Sequence, residues 1–342
     1  MPYSERIIGF STGAIAKGDF RRALTSLKTA GAPAVELSAL REAELPDLVS
    51  SLPSLDLSAF RYVSFHAPTR FSEFGEGRII ELLRVPASFR LPIVVHPDAL
   101  RSPGLWRQFG SLLLVENMDK RKPVGRTAPE LERLFEELPE AGLCFDVAHA
   151  RQVDPSMVES ATILRQFQDR LREVHASGVT TLSTHAPISA VAHSAYSGLA
   201  SLIIESVPII LESPVPEALI QTEIDFARSA FSPWLLRLQT DVDDVFDLKV
   251  PTLRKAQAKN FLEILRMSHA RLSDFETVVS RLPTGGSFAR GDSLFSARDL
   301  YDRLTEHDRC FLRQHLLRRV KEIAQEFPEL RREYQEQFES AE

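Results

Sequence analysis

Short apolar runs alternate with segments of helical periodicity through the first part of the chain. Proline, glycine and charged residues end the apolar runs, which is typical of strands buried on both faces of a sheet. The predicted strands comprise residues 7–12, 34–38, 62–66, 91–96, 112–116, 142–146, 171–175 and 208–212. The predicted helices comprise residues 19–30, 45–52, 78–83, 127–138, 154–167 and 200–205. This alternation predicts an α/β fold, a (β/α)8 TIM barrel, with a doubly wound open sheet as the alternative.

Local signals mark the ends of several of these elements. Gly31 follows the first predicted helix and is expected to end it, because glycine readily takes the left-handed conformation found there. Thr127 and Glu130 have the spacing of a capping box, which predicts that a helix begins after Thr127. Strand alternation in 142–146 places Cys144 and Asp146 on one face of their strand.

The pattern changes after residue 231. Long, charged, helix-periodic segments cover residues 252–278 and 296–337, and a Gly/Pro/Ser-rich break separates them at 282–287. We therefore expect a barrel at 1–231 and a C-terminal α-helical extension at 232–342. The charge runs of the extension are most simply a solvated face, and the extension is a candidate contact surface for a protein partner or a second copy.

Histidines and carboxylates lie at the carboxyl ends of nearly all the predicted strands. An open sheet would concentrate such residues at one switch point, whereas a closed barrel brings all strand ends to a single mouth, so this distribution favours the barrel. The set comprises Glu36, His66, His96, Glu116, Asp146 with His149, His175 and Glu212, and His185 lies in the connection after the seventh strand.

So many acidic and imidazole groups facing one another predict a metal centre. Crowded carboxylates repel each other, and divalent cations favour both ionised carboxylates and neutral imidazoles. A mixed His/Asp/Glu set suits zinc best, with manganese or iron as alternatives. One metal needs about four protein ligands or fewer, so eight candidates predict two or three divalent ions, with Glu116 or Glu212 able to bridge them.

Each of these residues also has a purely structural explanation. Any single histidine is more often a satisfied core or loop residue than a ligand, and Glu36 is also explained as an interior carboxylate or a substrate contact. Cys144 is expected to be packed interior and not a nucleophile. We assign no ligand role to the remaining histidines His193, His269, His307 and His315. The metal hypothesis rests on the recurrence of polar strand ends and not on any one of them.

Composition narrows the class of protein further. The formal net charge of −6 gives no overall basic excess that would indicate nucleic acid or an anionic membrane as a partner. Two cysteines, Cys144 and Cys310, do not indicate a disulfide framework and are typical of a reducing compartment. No apolar run approaches the roughly 20 residues that span a bilayer. We therefore expect a cytoplasmic protein with no membrane association.

Seven short motifs resemble the xylose isomerase-like barrel superfamily, and most of all its endonuclease IV (AP endonuclease family 2) branch. They are SFHAP at 64–68, VVHP at 94–97, VEN at 115–117, CFDVAH at 144–149, EVH at 173–175, STH at 183–185 and LESP at 211–214. That branch cuts the DNA backbone beside abasic sites with a trinuclear zinc site. The resemblance thus implies the same barrel and a phosphoester substrate, with damaged DNA as one candidate.

The resemblance also implies a distribution of ligands. His66, His96 and Glu116 would hold one metal. A second would lie among Glu116, Asp146, His175 and Glu212. His149 and His185 would complete a third. The family usually has Asp-x-His where this chain has Ser183-Thr-His, which weakens the third site.

The resemblance therefore implies a metal-dependent phosphodiester or phosphoester hydrolase in which Glu116, Glu212 and Asp146 are the catalytic residues. Three alternatives remain open: a one-metal sugar (phosphate) isomerase or epimerase, a multinuclear iron oxidase that acts on a peptide, and a non-catalytic scaffold. The family's basic DNA-penetrating loops are not recognisable. Basic residues near the expected mouth would contact phosphates or remain solvated loop charges; they are Arg70, Arg78, Arg121, Lys122, Arg126 and Arg151.

Overall fold

The computed structural model describes residues 6–231, 321–322 and 325–335. The chain forms two compact units, and the unit Ser4–Phe231 is a closed barrel of eight parallel strands. In order around the barrel, the strands are β1 (Ile8–Ser11), β2 (Ala34–Ser38), β3 (Tyr62–His66), β4 (Ile93–Val95), β5 (Leu113–Glu116), β6 (Gly142–Asp146), β7 (Leu171–Ala176) and β10 (Ile209–Leu211). The predicted fold class is confirmed.

A two-stranded antiparallel hairpin interrupts the connection after β7. It consists of β8 (Gly178–Val179) and β9 (His185–Ala186), and its register pairs Gly178 with Ala186 and Val179 with His185. This hairpin carries His185 beside the carboxyl end of β7.

Within residues 6–231, nine α-helices surround the barrel. They are α1 (Phe20–Thr29), α2 (Leu45–Ser51), α3 (Gly75–Ser88), α4 (Pro103–Trp106), α5 (Ala128–Glu137), α6 (Val147–Val153), α7 (Val158–Gln166), α8 (Ala190–Ser197) and α9 (Ile220–Ala230). Outside this unit, the structure describes a short helix at Pro328–Tyr334. No helix in the described ranges is long and apolar enough to cross a membrane.

Most of the apolar core lies between the strands and the helices. Leu143 and Phe145 of β6 point into that layer, whereas Cys144 packs inside the barrel with Val94 and Leu114. The predicted alternation of β6 is therefore confirmed. The strands approach closely at β1, where a Cβ on Gly9 would lie 1.9 Å from the carbonyl oxygen of Ala34.

Gly31 ends the first helix as predicted. Its φ is +68°, its N–H donates to the Lys28 carbonyl at 3.1 Å, and the Ala32 N–H donates to the Leu27 carbonyl at 3.0 Å. These two bonds form a Schellman motif, which satisfies carbonyls that the helix leaves unpaired.

Two local predictions were wrong. The expected helix at 200–205 is only a 3₁₀ turn at Ala200–Leu202, and the preceding connection forms α8 instead, where Ser189 caps the helix by accepting from the Ala192 N–H. The expected capping box is absent because the Thr127 side chain makes no cap hydrogen bond, and the Glu130 carboxylate accepts from the Arg126 N–H. The helix nevertheless begins directly after Thr127.

Two predicted helices have different extents. The helix expected at 154–167 is shorter, because Asp154 accepts from the N–H groups of Ser156 and Glu159 and the helix α7 begins only at Val158. The helix expected at 78–83 is longer, since α3 runs from Gly75 to Ser88.

Most of the predicted extension lies outside the described residues. This applies to the helix at 252–278, the break at 282–287 and all of the helix at 296–337 except the described residues from 321 onward. It also applies to Cys310 and to the histidines His269, His307 and His315. The role of the extension stays a prediction.

Candidate metal centre

Glu116 lies at the centre of the candidate site, at the carboxyl end of β5. One carboxylate oxygen, Oε2, lies 3.2 Å from Nε2 of His66 and 3.2 Å from Nε2 of His96. The other oxygen, Oε1, lies 3.4 Å from Nδ1 of His149 and 3.5 Å from Nδ1 of His175. The two oxygens of this buried carboxylate thus face two separate sets of imidazoles.

The first group comprises His66, His96 and Glu116, whose ligand atoms all lie within 4.8 Å of one another. His66 Nδ1 lies 2.7 Å from the Ala67 carbonyl oxygen, which can only accept, so Nδ1 carries the proton. Nε2 of His66 is then the free ligand atom. A backbone carbonyl that orients a histidine in this way is common behind metal ligands.

The second group comprises Glu116, Asp146, His175 and Glu212, again with ligand atoms within 4.8 Å of one another. Each residue contributes one buried atom that has no hydrogen-bond partner: Glu116 Oε1, Asp146 Oδ2, His175 Nδ1 and Glu212 Oε2. Burying unpaired charged atoms is costly unless a cation or proton compensates them. The convergence of four such atoms fits a divalent ion.

Asp146 is held by its own backbone context. Its Oδ1 accepts from the His149 N–H at 2.6 Å and so caps α6, which leaves Oδ2 for the second group. The Asn117 side chain accepts from the Asp146 N–H and donates to the Asp146 carbonyl, both at 2.8 Å. These bonds fix the end of β6 against the loop that follows Glu116.

His149 and His185 lie beside these two groups, with ring centroids 5.6 Å apart. His185 Nε2 lies 3.6 Å from Glu212 Oε2, and His149 Nδ1 lies 3.1 Å from the Asn117 carbonyl oxygen. In the described part of the chain, these two histidines belong to no group of three candidate ligands as close as the other two groups. The third predicted position is thus the least complete.

Ser183 does not replace the carboxylate that the family pattern has at this position. It has a φ of +56°, and its hydroxyl donates to the side-chain oxygen of Gln152. The Ser183 carbonyl accepts from Arg121, whose guanidinium also pairs with Asp119 at 3.0 Å. The residue therefore holds the hairpin in place and offers no anionic ligand.

The pKa shifts within the site differ from residue to residue. Burial lowers the pKa of His96 and raises that of Glu212, whereas neighbouring charges favour an ionised Glu116 beside protonated His66 and His149. Burial by itself raises the pKa of Glu116, but the charges of His96 and His175 outweigh it and hold this pKa well below its usual range. Burial lowers the pKa of His66, but the charges of Glu36 and Glu116 outweigh it and raise this pKa to about 9. The pKa of His149 rises to about 10 because Asp146 and Glu116 outweigh burial. Without metal, protons on the imidazoles balance the negative charge of the carboxylates, and metal binding would release these protons.

Three residues to which the sequence analysis assigned no role hold the candidate ligands in place by hydrogen bonds. Glu173 Oε1 lies 2.8 Å from His175 Nε2, and the Tyr62 hydroxyl donates to Glu173 Oε2 at 2.5 Å. The third is Asn117, described above. Strand alternation contains a signal for Glu173, because a residue two before His175 faces the same side of β7. Glu36, considered earlier as an interior carboxylate, is fully buried with Oε2 at 3.1 Å from His175 Nε2.

The predicted non-ligand His193 lies in the outer layer. Its Nε2 shares a hydrogen bond with the Ser229 hydroxyl at 2.7 Å, and its ring packs on Phe226. Burial lowers its pKa, which is consistent with a neutral ring between α8 and α9.

The site opens to solvent along one side. His185 is 34% exposed, and His96 and Glu212 are each 11% exposed, whereas the other candidate ligands are almost fully buried. A substrate would therefore approach over His96, Glu212 and His185.

Carboxylates pair with four of the six basic residues expected near the mouth. The pairs are Arg78 with Glu81, Arg121 with Asp119, Lys122 with Asp98 and Arg126 with Glu130, at distances from 2.6 to 3.0 Å. Of the other two, Arg70 is exposed and Arg151 is half-buried. The paired cations have reduced capacity to bind phosphates, so an extended nucleic-acid surface is not evident among the described residues.

Comparisons with known proteins show similarity in the barrel. No family model matches the chain, and no curated protein matches it. Among solved structures, it is similar to endonuclease IV from Thermus thermophilus, with 19% identity, a TM-score of 0.45, and coverage of 66% of this chain and 98% of that one. It is also similar to a xylose isomerase domain protein from Alicyclobacillus acidocaldarius, with 14% identity, a TM-score of 0.45, and coverage of 65% and 97%.

Dihydropteroate synthase from Yersinia pestis is also similar, with 12% identity, a TM-score of 0.39, and coverage of 66% of this chain and 94% of that one. At such low identities and scores the activity of this chain has to be inferred from its own site residues.

Proposed function

We propose that this protein is a metal-dependent hydrolase of phosphoesters whose barrel mouth holds at least two divalent ions. The observation that carries the proposal is the position of Glu116, whose two buried oxygens face two different groups of ligand atoms. A carboxylate shared in this way is the usual bridge between two neighbouring ions. Zinc fits the mixed imidazole and carboxylate donors best, with manganese or iron as alternatives.

His66, His96 and Glu116 would hold one ion. Glu116, Asp146, His175 and Glu212 would hold the second. His149 and His185 would add a third, more weakly bound position, since Ser183 supplies no carboxylate there. All eight predicted ligands thus have a role in the proposal, six of them in the two compact groups.

When bound, two such ions would supply positive charge that makes a water molecule a better nucleophile and stabilises the attacking and leaving oxygens of a displacement. The chain's own residues would orient the ligand atoms and exclude water from the buried part of the site. Asp146 is locked by its cap bond and by Asn117, so its free oxygen has a fixed direction. Glu212 borders the open side, and its buried Oε2 has no hydrogen-bond partner, which suits the carboxylate to hold or move a proton next to the substrate.

The open side of the site supports this substrate class. A phosphoester placed over His96, Glu212 and His185 would have its phosphate next to the ions. Since most basic residues near the mouth are paired, a small phosphodiester or a single damaged nucleotide fits better than a long contact along DNA. A protein partner or second copy at residues 232–342 remains a prediction.

A second candidate is a one-metal sugar isomerase or epimerase. The observation in its favour is that every member of the second group has one unpaired buried atom, and this group of four ligands by itself would hold a single ion. In that case His66 and His96 would not be ligands.

Elemental analysis of freshly purified protein, followed by hydrolysis assays, tests the proposal. We expect two or three zinc or manganese atoms per chain and turnover of bis(p-nitrophenyl) phosphate or of a duplex with one abasic site. Glu116→Gln should abolish this turnover. Glu76→Gln is the matched control, because Glu76 lies in α3 and accepts from the Trp106 indole and from two backbone N–H groups, away from the candidate ligands.

Three results would contradict the proposal, and each would favour a different alternative function. Two or three iron atoms with no phosphoesterase activity would favour oxidation of a peptide or small molecule. One manganese, magnesium or cobalt atom would favour isomerisation. Absence of metal after reconstitution, with an unchanged melting temperature in chelator, would favour a non-catalytic scaffold.

A further inference from the structure

A chain of three polar side chains, the half-buried Tyr62 and the buried Glu173 and His175, lies behind the second ligand group, on the side away from the mouth. The Tyr62 hydroxyl donates to Glu173 Oε2 at 2.5 Å, and Glu173 Oε1 lies 2.8 Å from His175 Nε2. Glu173 and His175 are completely buried. The two residues lie two positions apart on β7, so their side chains share one face of the strand, the face toward the barrel interior.

This arrangement decides which nitrogen of His175 faces the ligand group. Nε2 lies between two carboxylate oxygens, Glu173 Oε1 at 2.8 Å and Glu36 Oε2 at 3.1 Å, so Nε2 carries the proton. Nδ1 lies 3.5 Å from Glu116 Oε1 and 3.7 Å from Glu212 Oε1 and has no hydrogen-bond partner. Nδ1 is therefore the atom available to a metal.

We propose that Glu173, held by Tyr62, is a positioning residue that fixes the ring orientation and tautomer of His175 for metal binding through Nδ1. This inference rests on the proposed metal-dependent function and deepens it. A carboxylate that accepts from the remote nitrogen of a ligand histidine also makes that ligand more basic.

Glu173 is better suited to this role than Glu36. It is closer to Nε2, and its second oxygen accepts from Tyr62, whereas neither oxygen of Glu36 has a hydrogen-bond partner. Removing the Tyr62 hydroxyl should consequently loosen Glu173 and, through it, His175.

A metal site made of these residues themselves is a weaker explanation. Cys144, Glu173 and His175 place ligand atoms within 4.8 Å of one another. However, burial raises the pKa of the Cys144 thiol well above its usual value, which disfavours the thiolate form. The bonds of Glu173 to Tyr62 and His175 also leave it no need for an ion.

The test uses three variants of the full chain: Glu173→Gln, Tyr62→Phe and the control Glu76→Gln. Glu173→Gln is nearly isosteric but neutral, Tyr62→Phe removes only the hydroxyl, and Glu76→Gln neutralises a carboxylate in the outer layer. Zn²⁺ affinity is measured by competition with a chromogenic chelator, and the visible spectrum of the Co²⁺-loaded protein reports the geometry around the ion. Thermal unfolding of the chelated protein checks that each variant folds.

We expect Glu173→Gln to weaken the tightest Zn²⁺ binding roughly 10- to 100-fold and to shift the Co²⁺ spectrum. Tyr62→Phe should change both quantities in the same direction by a smaller amount, and Glu76→Gln should change neither. A merely structural role for Glu173 would lower the melting temperature and leave the spectrum of the bound Co²⁺ unaltered.

The outcomes separate this inference from the proposed function. Wild-type protein that binds Zn²⁺, together with Glu173→Gln and Tyr62→Phe proteins that fold, bind it equally well and give the same Co²⁺ spectrum, would overturn the positioning role alone. Wild-type protein that takes up neither Zn²⁺ nor Co²⁺ would overturn both the role and the proposed function. If Glu173→Gln does not fold, the Zn²⁺ affinity and Co²⁺ spectrum of Tyr62→Phe decide whether the positioning role is correct.

Discussion

Replacing Glu116 by glutamine tests whether one carboxylate serves two ions. The wild-type side chain offers one oxygen to His66 and His96, both at 3.2 Å, and the other to His149 and His175, at 3.4 and 3.5 Å. A glutamine of the same shape has one oxygen and one NH₂ group. Whichever way the amide turns, the NH₂ group faces one of the two sets and cannot act as a ligand there.

The expected magnitude follows from linkage between metal binding and folding. An ion present at 1,000 times its dissociation constant stabilises the native state by about 4.1 kcal/mol. The unit Ser4–Phe231 falls in the size range where 1 kcal/mol shifts the melting temperature by about 2–4 °C. Loss of one of two ions should therefore lower the metal-dependent gain in melting temperature by about 8–16 °C, roughly half of the total gain.

The assay compares melting temperatures of each protein with saturating Zn²⁺ and with chelator. Glu116→Gln also changes the stability of the metal-free protein, because the carboxylate compensates the charge of nearby imidazoles. Subtracting the melting temperature in chelator removes this contribution. The control Glu76→Gln should lower both melting temperatures equally and leave the difference unchanged. A Glu116→Gln protein that still binds two ions per chain and keeps the full metal-dependent gain would refute the shared-ligand reasoning.

Three further predictions concern the barrel itself. Gly9→Ala should destabilise the protein by about 3 kcal/mol or more, because the added Cβ would meet a backbone oxygen. Gly77→Ala should instead stabilise helix α3 by about 0.5–1 kcal/mol, because a Cβ there meets nothing within 4 Å. The urea midpoints of the two variants test both predictions. The pKa of Glu76 is lowered, because its hydrogen bonds outweigh burial, so its stabilisation is full above the unfolded pKa of about 4.3 and is lost as pH falls through the folded pKa. The stability difference between wild type and Glu76→Gln, about 1–3 kcal/mol at pH 7, should accordingly shrink below about pH 4, and equal differences at pH 7 and pH 3 would contradict this. Cys144, buried with a raised pKa, should resist alkylation in native protein and react in urea, as peptide mass spectrometry would show.

The sequence predicted the strands well because each is a short apolar run with a clear stop. Leu91–His96 and Leu112–Glu116, for example, correspond to β4 and β5 within two residues at each end. The helices were less predictable where side chains competed for backbone groups. Asp154 binds two backbone N–H groups of the following turn, and this local bond delays the start of α7 beyond what apolar periodicity indicates.

The candidate ligands were predictable for a geometric reason. A closed parallel barrel brings every strand end to one mouth, so position along the chain was sufficient to place His66, His96, Glu116, His175 and Glu212 near one another. Which ligands lie close enough to share an ion depends on side-chain directions, which position along the chain does not specify, so the grouping came from the family resemblance.

The residues behind the ligands required the strand register. Tyr62 begins β3 and Glu173 lies within β7, so no sequence motif relates them, and only closure of the barrel brings the hydroxyl to the carboxylate. Ser183 shows the converse case. Its position suggested a lost ligand, but the positive φ and the bond to Gln152 give the residue a separate role in the hairpin.

The division of the barrel into two layers explains how one fold accommodates so many buried charges. The apolar layer between strands and helices is extensive, whereas the apolar cluster inside the barrel contains only Val94, Leu114 and Cys144 among the described residues. Burial of the outer layer therefore supplies most of the stability, and it involves none of the candidate ligands. It follows that the metal-free barrel should stay folded, with protonated imidazoles compensating the carboxylates, so that metal binding adds to stability without being required for the fold.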